Sequence, residues 1–328
     1  MAVCIVGTHK MIGQAASLAF SQISVKVIEA GPELGGPSSQ ALADLEARLA
    51  EEQRLTHIIY CGAEIDPDRC EREPDVPRWQ SAALPPLLAA MAARLNARFI
   101  ALGTHYVFSG TLTSRGYAES RTCRPVNVLG ACQLEGERAL LAANPESRIL
   151  RTGWLYGDEE FGPFARFISE LIRASQQGTG LAVVNDEVAS PTWVRNLADA
   201  ILGLTLCDKG QYSLFSREKT PFMPLPAGIY HYVDGGKVSW TGFAAECARL
   251  AWKYHHIERP VTVFEVPPGS KPGRAARPPC CHLASAKIRK SYPFPSHTWQ
   301  EYLESFFADS TCSHLFFRLH AQLRSQSA

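Results

Sequence analysis

AVCIVGTHKMIGQAASLAF (Ala2–Phe20) decides the fold of this chain. Ala2–Val6 is an unbroken apolar run that reads as a buried strand leading straight into Gly7. A second glycine follows at Gly13, and helical spacing of apolar residues continues to Phe20. Strand, glycine turn and helix in that order open a dinucleotide-binding unit, where backbone N–H groups at the helix start meet a pyrophosphate. A tight turn with no cofactor is the competing reading of the same glycines. Outward from this stretch the alternation repeats. Strands are expected at Val25–Glu29, His57–Cys61, Arg98–Leu102 and Arg148–Thr152, with helices near Leu42–Glu52, Leu84–Leu95 and Glu135–Ala143. Such a pattern predicts an α/β fold with a doubly wound parallel sheet covered on both faces.

The second half is less regular. Helices are expected over Phe164–Ser175, Val194–Leu206 and Trp240–Tyr254, and strands over Leu181–Val184 and Gly228–Val233. Asp208–Pro226 carries Pro221, Pro224 and Pro226 and reads as a surface loop. Pro267–Pro279 is a Pro/Gly/Arg-rich crossing segment, and His314–Leu323 spaces Leu315, Leu319 and Leu323 as one helix face.

With 328 residues, 46% hydrophobic and 20% charged, the composition is that of a soluble globular protein of roughly two domains. A net charge of +1 gives no electrostatic reason to expect nucleic acid or an anionic membrane. No run approaches a membrane span, and the apolar start MAVCIVG is far shorter than a signal-peptide core. A cytoplasmic protein is therefore expected. The ten cysteines are scattered without a C-x-x-C pair, so reduced thiols are expected and no metal. Cys280-Cys281-His282 is the only metal-like cluster, and adjacent side chains seldom converge on one ion.

Five blocks then occur in one order: LGTHYVFSG (Leu102–Gly110), PVNVLGACQLEGE (Pro125–Glu137), ILRTGWLYG (Ile149–Gly157), VVNDEVASPTW (Val183–Trp193) and GIYHYVDGGKVSW (Gly228–Trp240). Together they resemble the dTDP-4-dehydrorhamnose reductases, the sugar-nucleotide branch of the extended short-chain dehydrogenases. The methionine adenosyltransferase beta subunit is similar to the same branch. The resemblance runs from Val3 to about Phe307. It implies a Rossmann domain over 1–155 with returning segments from about 183–235. A small C-terminal α/β substrate-binding lobe would draw on 156–308, with a tail helix over 309–328.

On the cofactor side the resemblance implies Gly7, Lys10, Met11, Ile12, Gly13, Glu29, Cys61, Gly62, Ala63 and Gln133. Lys10 stands where the family's G-x-x-G-x-x-G turn has its middle glycine; its side chain either blocks the phosphate or contacts it through the ammonium. Glu29 ends the second strand, where a carboxylate accepts ribose hydroxyls and repels a 2′-phosphate, favouring NAD over NADP. A solvated charge at a strand end is the alternative. On the substrate side, Thr104 matches the hydroxyl that bonds the substrate carbonyl. His105 stands where the family usually has aspartate, and Tyr106 matches a tyrosine of the same block. Trp154 matches an aromatic near the sugar. Asp186, Pro191 and Thr192 match the lobe junction, and Arg277 with Pro278 matches a late Arg-Pro element near the nucleotide or substrate.

The departure lies in PVNVLGACQLEGE. The family's proton-donating tyrosine aligns with Leu129 and its helper lysine with Gln133. Leucine has no proton to give and glutamine no charge with which to lower a phenol's pKa. Three functions follow. The first is a non-catalytic or regulatory NAD(P)- or sugar-nucleotide-binding homologue, with 208–226 or 314–328 as surfaces for a protein partner. The second is a reductase or epimerase of a 4-keto sugar nucleotide or other small ketone with a displaced proton donor. The third is a non-redox isomerase or cyclase using the same pocket. Substitute acids would be His105, Cys132 or Tyr117, although strand alternation points His105 away from Thr104.

Overall fold

The computed structural model describes residues 1–111, 116–158, 162–208, 224–270, 272–292, 294–295 and 297–327. The chain begins with β1 (Ala2–Val6), α1 (Met11–Gln22), β2 (Lys26–Ala30), α2 (Ser39–Ala50), β3 (Leu55–Tyr60), α3 (Pro67–Arg72) and α4 (Asp75–Pro77). A π-helical segment, Arg78–Ala83, leads into α5 (Leu84–Arg94). Then come β4 (Arg98–Thr104), α6 (Val128–Ala143) and β5 (Arg148–Thr152). These five strands and β10 (Gly228–His231) form one parallel sheet in the order β10–β5–β4–β3–β1–β2. The path reverses between β1 and β3, opening a crevice at their C-terminal ends.

Because successive strand residues face opposite sides, the sheet feeds two cores. Val3, Ile5, Ile59, Ile100 and Leu150 join Ala16 and Phe20 of α1 and, from α8 (Val194–Cys207), Leu197 and Ile201. Cys4, Val6, Ile58, Phe99 and Ile149 face Leu45 and Leu49 of α2, Leu88 and Met91 of α5, and Leu140 of α6. The first core continues into the second half of the chain. There β6 (Trp154–Tyr156) pairs β9 (Pro191–Trp193), β7 (Leu181–Val184) pairs β12 (Val263–Val266), and β8 (Val188–Ala189) pairs β11 (Val238–Ser239). Around them lie α7 (Pro163–Gln177), α9 (Trp240–Lys253), α10 (Ala286–Ser291), α11 (Trp299–Ala308) and α12 (Ser310–Ser327).

Several elements depart from the sequence reading. Helix α6 starts two turns before Glu135, because the Asn127 side chain accepts a hydrogen bond from the Gly130 N–H and caps it. Helix α11 was not expected, although Thr298 and Glu301 form a capping box at its start. The tail helix buries Leu315, Leu319 and Leu323 in the chain's own core, so that face is not free for a partner. Most of the Asp208–Pro226 loop lies outside the described residues. Its two flanks meet at one side chain: Arg148 pairs with Asp208 through both carboxylate oxygens and donates to the Leu225 carbonyl.

Close approach fixes α6. A Cβ on Gly136 would sit 1.8 Å from the Ser81 carbonyl oxygen, and one on Gly130 2.1 Å from that of Tyr106. Gly136→Ala should therefore force backbone movement and lower the urea midpoint, at an overpacking cost of about 1–3 kcal/mol, with an unchanged m value. An unaltered midpoint would contradict this packing.

A second test concerns pH. His231 ends β10 fully buried, and burial, with Arg151 nearby, pushes its folded pKa down to about 3 from an ordinary 6.5. Protonation thus favours the unfolded chain, and the stability present above pH 6.5 is lost as pH falls toward 3. One such group contributes a slope of at most about 1.4 kcal/mol per pH unit. Unfolding free energies measured at about pH 7 and about pH 5 should diverge more in the unmodified protein than in His231→Gln; equal differences would contradict this assignment.

Candidate functional site

At the C-terminal ends of the strands lies a cavity of about 320 Å³. One wall is aromatic and aliphatic, with Trp154, Phe164, Phe167, Trp240 and Phe243; Trp154 and Trp240 meet edge to face at 5.2 Å. The opposite wall carries Thr104, His105, Tyr106, Leu129, Gln133 and Glu187. Glu64, Asp66 and Asp68, from the segment after β3, line it together with Arg166, Arg274 and Arg277.

The two positions that the resemblance aligns with a tyrosine and a lysine face this space. Leu129 and Gln133 lie one turn apart on α6 and both line the cavity. Leu129 packs among Cys70, Tyr106 and Val128, and is 1% exposed. The Gln133 amide donates to the Ser81 hydroxyl at 3.3 Å. Thr104 closes β4 beside them, its hydroxyl accepting the Tyr106 N–H. His105 does not face away. The strand ends at Thr104 and a 3₁₀ turn over His105–Val107 begins, so strand alternation stops before it applies. His105 is instead buried in the cavity wall, with Nδ1 at the Thr152 carbonyl and Nε2 3.0 Å from Glu187.

Glu187 is the acid the sequence reading missed. It sits beside Asp186 in the lobe-junction block, but it is Glu187 that enters the cavity. Its carboxylate meets His105, accepts the Tyr106 hydroxyl at 3.2 Å, and lies 3.8 Å from the Arg277 Nε. Burial and then the Glu187 charge push the Tyr106 phenol well above its ordinary pKa. Asp186 lies outside the lining, paired with Arg274 at 3.3 Å. Pro191 and Thr192 also lie outside it: they form β9 against β6, with the Thr192 hydroxyl turned to the Ser190 carbonyl.

The turn after β1 is a steric unit. Gly7 has φ 101°, and a Cβ there would lie 2.5 Å from the Gly62 Cα. Likewise, a Cβ on Gly13 would lie 2.2 Å from the Gly7 carbonyl oxygen. Only glycine fits such contacts. Of the cofactor-side positions, Ile12, Cys61, Ala63 and Gln133 line the cavity, while Gly7, Lys10, Met11, Gly13, Glu29 and Gly62 lie outside that lining. Lys10 occupies the N-cap position of α1, which has no side-chain cap. Glu29 accepts the Ser17 hydroxyl at 2.6 Å, and its carbonyl accepts from Arg48.

The carboxylates at the mouth are all engaged. Glu64 accepts the Ile65 and Asp66 N–H groups, pairs with Arg69 at 2.9 Å and faces the Lys10 ammonium at 3.6 Å. Burial alone would raise its pKa, but Lys10, the two amides and Arg69 hold it below the ordinary value. Asp66 caps α3 and pairs with Arg166; Asp68 pairs with Arg277 at 2.8 Å and accepts the Ala275 N–H. Each of the three cavity arginines is thus already in an ion pair. The sequence carried a signal for this segment in AEIDPD (Ala63–Asp68), where Asp66-Pro67 has the form of a helix start.

Neither Cys132 nor Tyr117 lines the cavity. Burial raises the Cys132 thiol, and the Tyr117 hydroxyl donates to the Thr111 carbonyl. Cys280 and Cys281 are buried, and His282 bonds the Ser190 hydroxyl. Among the described residues no cluster of His, Cys, Asp or Glu is placed to hold a metal ion, and no helix is long and apolar enough to cross a membrane.

Known proteins resemble this chain along most of its length. The dTDP-4-dehydrorhamnose reductase of Streptomyces griseus is 30% identical over 257 residues, 78% of this chain and 77% of that protein. Among solved structures, the Clostridium acetobutylicum dTDP-4-dehydrorhamnose reductase superposes with a TM-score of 0.76 at 25% identity, covering 94% of this chain and 99% of its own. The Bacillus anthracis enzyme, solved in complex with NADP, gives 0.75 at 25% identity over 94% and 98%. The family model described as the RmlD substrate binding domain matches residues 1–312, and the chain belongs to that family.

Proposed function

We propose that this chain is a member of the reductase family that binds a nicotinamide dinucleotide and a sugar nucleotide but does not transfer hydride by the family's tyrosine–lysine route. The observation that carries this reading is the cavity face of α6, where Leu129 and Gln133 stand. Neither can protonate a carbonyl oxygen or act as a cation beside one. The rest of the site suits a ligand. The aromatic wall offers apolar contact for a sugar, and Thr104 can donate to a carbonyl at the end of β4. The Gly7–Gly13 turn leaves the start of α1 open to a diphosphate. NAD is favoured over NADP by the Glu29 carboxylate at the end of β2, with the exposed Arg48 beside it as the counterweight. The nicotinamide and sugar groups, when bound, would supply the hydride donor and the carbonyl; the chain's own residues orient them and exclude water.

A reductase with a displaced donor is the second reading. The observation favouring it is that His105, Tyr106 and Glu187 meet on the cavity wall beside Thr104.

Calorimetry with NADH, NADPH and dTDP should give binding, with NADH tighter than NADPH. Absorbance at the nicotinamide band with dTDP-4-dehydrorhamnose present should give turnover about 10²–10⁴-fold below an ordinary reductase, the usual contribution of a general acid. Leu129→Tyr combined with Gln133→Lys should raise that rate. Full-speed turnover by the unmodified chain overturns the first reading in favour of the second. A double variant that binds both ligands yet gains no rate would count against the dyad as the missing part.

A further inference from the structure

Lys10 and Glu64 stand on the two loops that bound the crevice, one after β1 and one after β3. Those loops touch, since a Cβ on Gly7 would meet the Cα of Gly62. Lys10 opens α1, where a diphosphate meets a helix start in this class of fold. Its ammonium is turned instead to Glu64 at 3.6 Å, an ion pair too long for a hydrogen bond. Glu64 has other partners as well. With Lys10 removed, the carboxylate keeps the Ile65 and Asp66 amides and the Arg69 guanidinium at 2.9 Å. The lysine can therefore leave without stranding a buried charge, which is the usual cost of opening such a pair.

We propose that Glu64 is an internal competitor for the dinucleotide diphosphate: it pairs with Lys10 at 3.6 Å, and a diphosphate binds by taking that ammonium over. Glu64 then sets how tightly this chain holds a nicotinamide dinucleotide, a role that rests on the binding reading above. The carboxylate acts twice. It withholds a cation from the diphosphate and leaves a like charge nearby, and both effects weaken binding. Glutamine at 64 would keep the acceptor for the two amides and remove the charge, so the loop itself has no reason to move.

The test is calorimetric titration of the full chain, Glu64→Gln, Lys10→Met and the double variant with NADH at fixed ionic strength. Glu64→Gln should tighten NADH binding about tenfold, equal to about 1.4 kcal/mol. Lys10→Met should weaken it about fivefold, and Glu64→Gln should gain less in the Lys10→Met background than alone, since the cation it frees is gone. Binding by Glu64→Gln within about twofold of the unmodified chain, or weaker, overturns the role of Glu64 while leaving the binding reading intact. Equal gains in both backgrounds also overturn it. If neither the unmodified chain nor Glu64→Gln binds NADH at about 1 mM, the dinucleotide reading itself falls and the competitor with it. Should a melting curve find Glu64→Gln unfolded, Lys10→Met decides: unchanged or tighter NADH binding overturns the proposal.

Discussion

Helix α6 lies against backbone at two places where a single methyl group would not fit, over the Ser81 carbonyl at Gly136 and over the Tyr106 carbonyl at Gly130. The same helix is tied to β5 by a buried ion pair, Glu137 with Arg151, and to the segment before Arg277 by the Asn127 amide on the Ala276 carbonyl. These contacts remove its freedom to slide or rotate. A shift of one residue would put a side chain where only glycine fits and would break a pair that is costly to leave half-made in the interior. The positions facing the cavity from α6 are therefore set by the fold, and Leu129 and Gln133 occupy them whatever the ligand.

Charge around the cavity follows a second constraint. Arginines 166, 274 and 277 come from α7 and the crossing segment, and each meets a carboxylate: Asp66, Asp186 and Asp68. Two of those acids, Asp66 and Asp68, stand at the start of α3, so that one helix end is tied to both α7 and the crossing segment. An anionic ligand entering here does not find bare cations. It must match what the carboxylates already provide, so binding depends on exchange and not on simple attraction. Pairs that are partly exposed, such as Arg166 with Asp66, are worth little individually and exchange readily. Arg277, whose side chain is 8% exposed between Asp68 and Glu187, is the one whose exchange would cost most.

The sheet was legible because its strands announce themselves twice, by apolar content and by the turns that end them. Ala2–Val6, Arg148–Thr152 and Leu181–Val184 fall where the pattern puts them. The short strands of the second half were not, since two or three residues such as Val188–Ala189 carry no period to read. In the site, Thr104, Trp154 and Arg277 line the cavity, while Asp186, Pro191 and Thr192 lie outside its lining. The reason is local. In a block of mixed buried and half-buried residues, which of two adjacent acids turns inward depends on partners distant in sequence, here His105 and Tyr106 for Glu187. The acidic mouth was missed for a similar reason: its meaning comes from Lys10, Arg166 and Arg277, brought to it only by the fold.

Whether the groups beside Thr104 could protonate a carbonyl turns on the partners that surround them. A phenol that protonates a carbonyl near neutral pH needs its pKa lowered, and a nearby cation does that. Tyr106 is the phenol beside Thr104, but its hydroxyl is spent on the Glu187 carboxylate, and burial followed by that negative charge moves its pKa the other way. His105 has both ring nitrogens engaged, one at the Thr152 carbonyl and one at Glu187, so neither is left facing a ligand. For either group to act, Glu187 would first have to release it, and the Arg277 Nε lies 3.8 Å from that carboxylate. In this arrangement the Tyr106 hydroxyl and the His105 ring contribute to the wall of the cavity through their bonds to Glu187.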